Sequence, residues 1–81
     1  MARGIVRYSL NGDAGSRYTN QVRGALEARD FERRGRTGSL EAREQTLSEV
    51  IAGVKEALDV VDGLAPPVAL DHVWVYIDQA A

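Results

Sequence analysis

The sequence predicts one α+β domain in the order strand, helix, strand, strand, helix, strand. Three observations lead to this. Two segments, near the start and the end, alternate apolar and polar residues with period two. Two longer segments place apolar residues three and four apart. Between those two helical patterns lies a short charged stretch broken by Gly35 and Gly38.

Gly4 to Leu10 is the first strand: Val6, Tyr8 and Leu10 alternate with Ile5, Arg7 and Ser9, as on a pleated strand. Asn11-Gly12-Asp13-Ala14-Gly15 is a turn run, and Ser16 is placed to cap the helix that follows. Tyr18, Val22, Ala25 and Leu26 then form one stripe of a helix from Arg17 to Arg29. Phe31 to Gly35 and Thr37 to Ala42 form a hairpin. Thr46 and Glu49 have capping-box spacing ahead of a second helix. Its stripe is Leu47, Val50, Ile51, Val54, Ala57, Leu58 and Val61, and Gly63 stands where a left-handed terminal residue is expected. Ala65-Pro66-Pro67 is an extended linker. His72 to Asp78 is the last strand, with Val73, Val75 and Ile77 on one face and His72, Trp74 and Tyr76 on the other. With both helices on one face of an antiparallel four-stranded sheet, this is a ferredoxin-like βαββαβ arrangement.

The length of 81 residues fits one domain, spanning the whole chain, with a thin stability margin. There is no cysteine to add a disulfide or a thiolate metal site, which leaves oligomerisation as the usual supplement. No apolar run approaches the ~20 residues of a membrane span, and no apolar segment follows the N-terminal charges as in a signal peptide. The expectation is a cytoplasmic protein without membrane contact. Net charge is −2 but polarised: residues 1–44 carry +3 and residues 45–81 carry −5. That balance is far from the strongly basic one of typical nucleic-acid-binding domains.

Three short stretches carry a family resemblance. Tyr8-Ser9-Leu10 ends the first strand, Ser39-Leu40-Glu41 opens the third, and Leu70-Asp71-His72-Val73-Trp74-Val75-Tyr76 makes the last. With the element order, they resemble the small dimeric subunit of the CRISPR adaptation complex. Relatives of that family are the virulence-associated protein D and GhoS-type antitoxin ribonucleases. The resemblance implies a dimeric scaffold. In the family an acid after the tyrosine is the proposed metal-binding and catalytic position. Here that position is Ser9, whose neutral hydroxyl cannot hold Mg²⁺ as a carboxylate does. Nuclease activity is therefore not expected.

The remaining chemistry-bearing residues read mainly as structure. Asn11 and Asp13 are turn formers, and would join Asp78 in a displaced metal site only if the strand ends converged. Gly12 to Ser16 precedes a helix but matches neither phosphate-loop nor dinucleotide fingerprint. His72 is the single histidine, which supports neither a triad nor a zinc site. No metal, cofactor or catalytic residue is expected. Arg29, Arg33, Arg34 and Arg36 are the candidate anion or nucleic-acid contacts, but interleaved acids make a salt-bridged edge hairpin the stronger reading, with weak or no nucleic-acid binding.

Trp74 and Tyr76 share the face that two helices cannot cover, and such aromatics are enriched at interface cores. Arg7, Ser9, His72, Trp74 and Tyr76 are thus the expected homodimer interface. The function expected is a prokaryotic or phage-encoded interaction or adaptor protein, antitoxin-like or regulatory, that acts by binding itself and a protein partner. The alternatives are a metal-dependent ribonuclease of the resembled family, using Asp13 or Asp78, and a small-ligand regulatory dimer.

Overall fold

The structure, a computed structural model, describes residues 1–35 and 38–80. Its elements are β1 (Ala2–Asn11), α1 (Arg17–Glu27), β2 (Glu32–Arg34), β3 (Ser39–Gln45), α2 (Leu47–Asp62) and β4 (Ala69–Gln79). The strands form one sheet in the order β2-β3-β1-β4, each neighbouring pair antiparallel. The ferredoxin-like expectation holds, with β1 and β3 central and β2 and β4 at the edges.

The pleat decides which residues enter the core. Ala2, Val6, Leu40 and Ala42 point from the central strands toward the helices, where they bury against Val22 and Leu26 of α1 and Val50, Val54 and Ala57 of α2. Phe31 completes this core although it sits in the charged connection after α1. Its ring occupies space that two glycines leave open. A Cβ on Gly53 would lie 2.6 Å from Phe31 Cε1, and one on Gly4 would lie 2.5 Å from Val50 Cγ1 and 3.4 Å from the same ring.

Two bulges keep the faces consistent. β1 pairs with β3 as Gly4 with Ala42 but as Ala2 with Gln45, and Glu44 takes a left-handed φ of 58° inside the extra length. This returns Gln45 to the buried side, where its Nε2 donates to the Arg29 carbonyl at 2.9 Å. On β4 the register slips between Ser9 with His72 and Leu10 with Leu70, so Asp71 is left out of the pairing and Leu70 lies opposite Leu10.

Some boundaries differ from the sequence reading. β3 runs on through Arg43, Glu44 and Gln45, which lack apolar alternation because bulge and salt bridges place them. β4 starts three residues earlier than expected, at Ala69, and α1 stops at Glu27. Gly63 closes α2 at φ −93°, outside the left-handed region; its amide donates to the Asp59 and Val60 carbonyls without that conformation. The Thr46–Glu49 capping box forms with both of its hydrogen bonds. The hairpin turn bends through Gly35 and Gly38, both at positive φ, while Arg36 and Thr37 lie outside the described residues.

Candidate functional site

Neither helix covers the other side of the sheet. Register places its residues directly. On β1 and β4 the cross-strand pairs are Arg3 with Asp78, Ile5 with Tyr76, Arg7 with Trp74 and Ser9 with His72. All five expected interface residues, Arg7, Ser9, His72, Trp74 and Tyr76, therefore share one contiguous half of the open face. Trp74 is 50% exposed and Tyr76 39%, their rings stacked at 6.2 Å between centroids and 12° between planes. Arg3 lies over the Tyr76 ring, its Cζ 5.4 Å from the centroid, and its Nη2 donates to Asp78 Oδ2 at 2.8 Å. The Tyr76 hydroxyl donates to the same oxygen at 2.9 Å. The Arg7 Nε reaches Ser39 Oγ at 3.4 Å, and beside it Ile5, Arg34 and Trp74 line a shallow concavity.

The other half of the open face, on β3 and β2, centres on Glu41. Its side chain is only 3% exposed although no element covers it. Arginines form the cover. Arg43 donates from Nε to Glu41 Oε2 at 3.0 Å and from Nη2 to Oε1 at 3.3 Å, Arg34 donates from Nη1 to Oε1, and Arg3 Nε stands 4.0 Å away. The hydrogen bond from Arg43 and then that from Arg34 hold the Glu41 carboxyl below its ordinary 4.5, against the opposing effect of burial. The sequence offers Glu41 as part of a family-like strand and as one of the acids interleaved with the arginine run, without its burial or its central place on the face. Its role was readable from the period of two, which puts Ser39, Glu41 and Arg43 on one face and Leu40 and Ala42 on the other.

The basic run disperses. Arg29 reaches to α2, its Nε donating to Glu56 Oε2 at 3.0 Å. Arg33 pairs with Leu40 on the helix side of β2, near Tyr8, Thr19 and Arg23. Arg34 is on the open face with Glu41. Arg36 lies outside the described residues. The arginines that do gather on the open face are Arg3, Arg7, Arg34 and Arg43.

The acids set aside for a displaced metal site do not converge. Asp78 pairs with Arg3 at one end of β1, and Asn11 closes the other end, ~26 Å away at ~3.3 Å per residue. The Asp13 carboxylate is occupied as the cap of α1, accepting from the Thr19 amide at 2.7 Å, the Thr19 hydroxyl at 2.8 Å and the Tyr18 amide at 3.3 Å. The Thr19 amide is the main cause of its lowered pKa. Ser16, expected to cap, instead has a left-handed φ of 57° and makes no side-chain capping bond. His72 contacts the Asp71 carboxylate through Nδ1 at 3.3 Å. Among the described residues no group of three or more His, Asp or Glu side chains is placed to hold a metal ion, and no helix is long and apolar enough to cross a membrane.

Exposed apolar surface is concentrated on one side of the molecule. Leu70, Trp74, Val75, Tyr76 and Ile77 of β4, with Ile51 and Leu58 of α2, are the large apolar residues exposed among the described residues, Met1 apart. Val75 and Ile77 lie on the helix side, opposite Val6 and Gly4, yet are 36% and 37% exposed, because the helical layer stops short of this edge. Gly53 and Glu56 mark the flank of α2 that faces Phe31 and Arg29. At ~100° per residue, Ile51 and Leu58 fall on the opposite flank. Compared with known proteins, the chain matches no family model, no curated protein and no solved structure.

Proposed function

We propose that this protein is a small homodimeric interaction module that acts by binding, and that β4 is the element through which it associates. The observation that carries this reading is the gathering of exposed apolar residues on both faces of β4 and the adjoining flank of α2. A monomer of this size gains nothing from leaving a tryptophan, a tyrosine, a valine, an isoleucine and a leucine exposed along one strand, and patches of this kind mark interaction sites. On the polar half of the open face Glu41 draws Arg34 and Arg43 inward and Glu32 stands opposite it on β2, a balance of charge that favours a protein partner over a polyanion. The dimeric scaffold implied by the family resemblance agrees with this reading, and Ser9 at the family's acidic position favours binding over catalysis.

Light scattering coupled to size exclusion tests it. The wild type should elute as a dimer at micromolar concentration, and Trp74→Ala should shift toward monomer and unfold at lower temperature. Trp74 is already half buried, so covering the rest removes ~100 Å² from water, worth ~2–3 kcal/mol at ~25 cal/mol per Å² before association costs. A wild type that stays monomeric at high micromolar concentration would refute the proposal.

A further inference from the structure

The two sheet edges are unlike. β2 has three residues, Glu32, Arg33 and Arg34, all exposed and all charged. Short charged edges of this kind resist pairing with another chain. β4 has eleven residues, and its stretch from His72 to Ile77 contains no Asp, Glu, Lys or Arg. β1 occupies one side of it; the backbone groups on its other side face outward. A long apolar edge of this kind is a template for strand addition.

We infer that two copies join edge to edge, β4 antiparallel to β4, with Val75 on the two-fold axis, so that one eight-stranded sheet runs through the dimer with all four helices on one side. This rests on the homodimer reading and specifies its geometry. A two-fold axis perpendicular to the sheet makes one residue face itself and fixes every other pair, and directly opposed residues share a face. With Val75 on the axis, Val73 meets Ile77 of the second copy on the helix side. On the open side Trp74 meets Tyr76, and His72 meets Asp78. Apolar groups face apolar groups, ring faces ring, and the one histidine faces a carboxylate. The neighbouring registers fail this test. Centring on Trp74 sets Asp71 against Ile77 and Asp78 against Leu70; centring on Tyr76 sets Asp78 against Trp74. The Val75 register also brings together the helix-side surfaces of β4, with Ile51 and Leu58 on the α2 flanks beyond them. This explains why the exposed apolar residues occupy both faces of the strand, which stacking through the open face alone would leave half unused.

Cysteine cross-linking decides the geometry, because the chain has no cysteine of its own. Directly opposed residues have Cα atoms ~4.5–5.5 Å apart, within the range a disulfide spans. Under mild oxidation, Val75→Cys should become a covalent dimer in most molecules. Val73→Cys alone should not, since its own copy lies ~13 Å along the strand. A mixture of Val73→Cys and Ile77→Cys should cross-link again. Each variant is first checked in reductant for wild-type circular dichroism and dimeric mass. As a second measurement on the unmodified chain, the outward amides between His72 and Ile77 should be protected from hydrogen exchange at high micromolar concentration and lose that protection on dilution. A wild-type monomer would remove the homodimer reading itself. A dimer in which Val75→Cys stays uncrosslinked, or in which Trp74→Cys cross-links in its place, or whose β4 amides exchange freely, would keep the dimer and overturn the edge pairing.

Discussion

Replacing a mid-helix glycine by alanine ordinarily stabilises a helix by about 1 kcal/mol. In this protein Gly53→Ala should do the reverse. The new Cβ would lie 2.6 Å from Phe31 Cε1 and 3.2 Å from Arg29 Cβ, both inside the 3.4 Å at which ordinary van der Waals contact begins. The ring has little room to retreat, because it is fully buried and its far side already approaches Gly4. Overpacking of this kind costs ~1–3 kcal/mol. A contact as short as 2.6 Å places the cost in the upper part of that range, ~2–3 kcal/mol, so that, set against the helix-propensity gain of about 1 kcal/mol, the net loss should be about 1–2 kcal/mol. That is a large share of the ~4–12 kcal/mol expected for a domain of this length. At ~4–8 °C per kcal/mol, the thermal midpoint should fall by roughly 5–15 °C. Circular dichroism melts at fixed protein concentration measure this, with urea unfolding as an independent check. The steric origin makes a sharper demand: in a Phe31→Leu background the alanine should cost much less, so the two changes should be strongly coupled. An unchanged or raised midpoint for Gly53→Ala, or strict additivity with Phe31→Leu, would refute the reasoning.

Other outcomes follow from the site. Asp13→Ala should lower the thermal midpoint by about 5 °C through loss of the α1 cap, while Ser16→Ala should leave it nearly unchanged; differential scanning calorimetry separates the two. Glu41, with its carboxyl held low by Arg43 and Arg34, contributes stability that is fully present above the unfolded value near 4.5 and is lost as pH falls through the lower folded value. The acid limb of a urea-midpoint profile should therefore be flatter in Glu41→Gln, with the wild type losing its advantage below about pH 4.5. Wild-type protein should bind single-stranded RNA or DNA weakly and lose that binding steeply with salt, as fluorescence anisotropy would record; submicromolar affinity at physiological salt, lost in Arg33→Ala with Arg34→Ala, would contradict this.

The parts of the fold that were legible are those where local pattern and tertiary environment agree. β1 and β4 alternate because each has one face toward the helices. The α2 start is written in Thr46 and Glu49, a pair whose two bonds close within one turn. The same period of two placed Arg7, Ser9, His72, Trp74 and Tyr76 on a common face. What escaped reading depends on contacts distant in sequence. Phe31 sits among charges and is buried only because Gly4 and Gly53 make room for it. The end of β3 is polar throughout, and a left-handed Glu44 is needed before Gln45 can turn inward. Asp13 outcompetes Ser16 as a cap because the turn before α1 brings its carboxylate back over the first helical amides. The arginine run looked like one patch in sequence, but adjacent strand residues face opposite ways, so Arg33 and Arg34 were bound to separate.

The burial of Glu41 has a consequence for the sign of the surface. One carboxylate holds Arg34 and Arg43 inward and has Arg3 at its edge, with Arg7 a short distance along the same face. Removing that single negative charge would raise the positive charge around Arg7, Arg34 and Arg43 on a flat, aromatic-bordered sheet, while Arg3 stays paired with Asp78. Such a surface attracts phosphates and carries flat rings on which bases stack. Glu41→Gln should therefore show a gain in nucleic-acid affinity with a steeper dependence on salt, which fluorescence anisotropy would record.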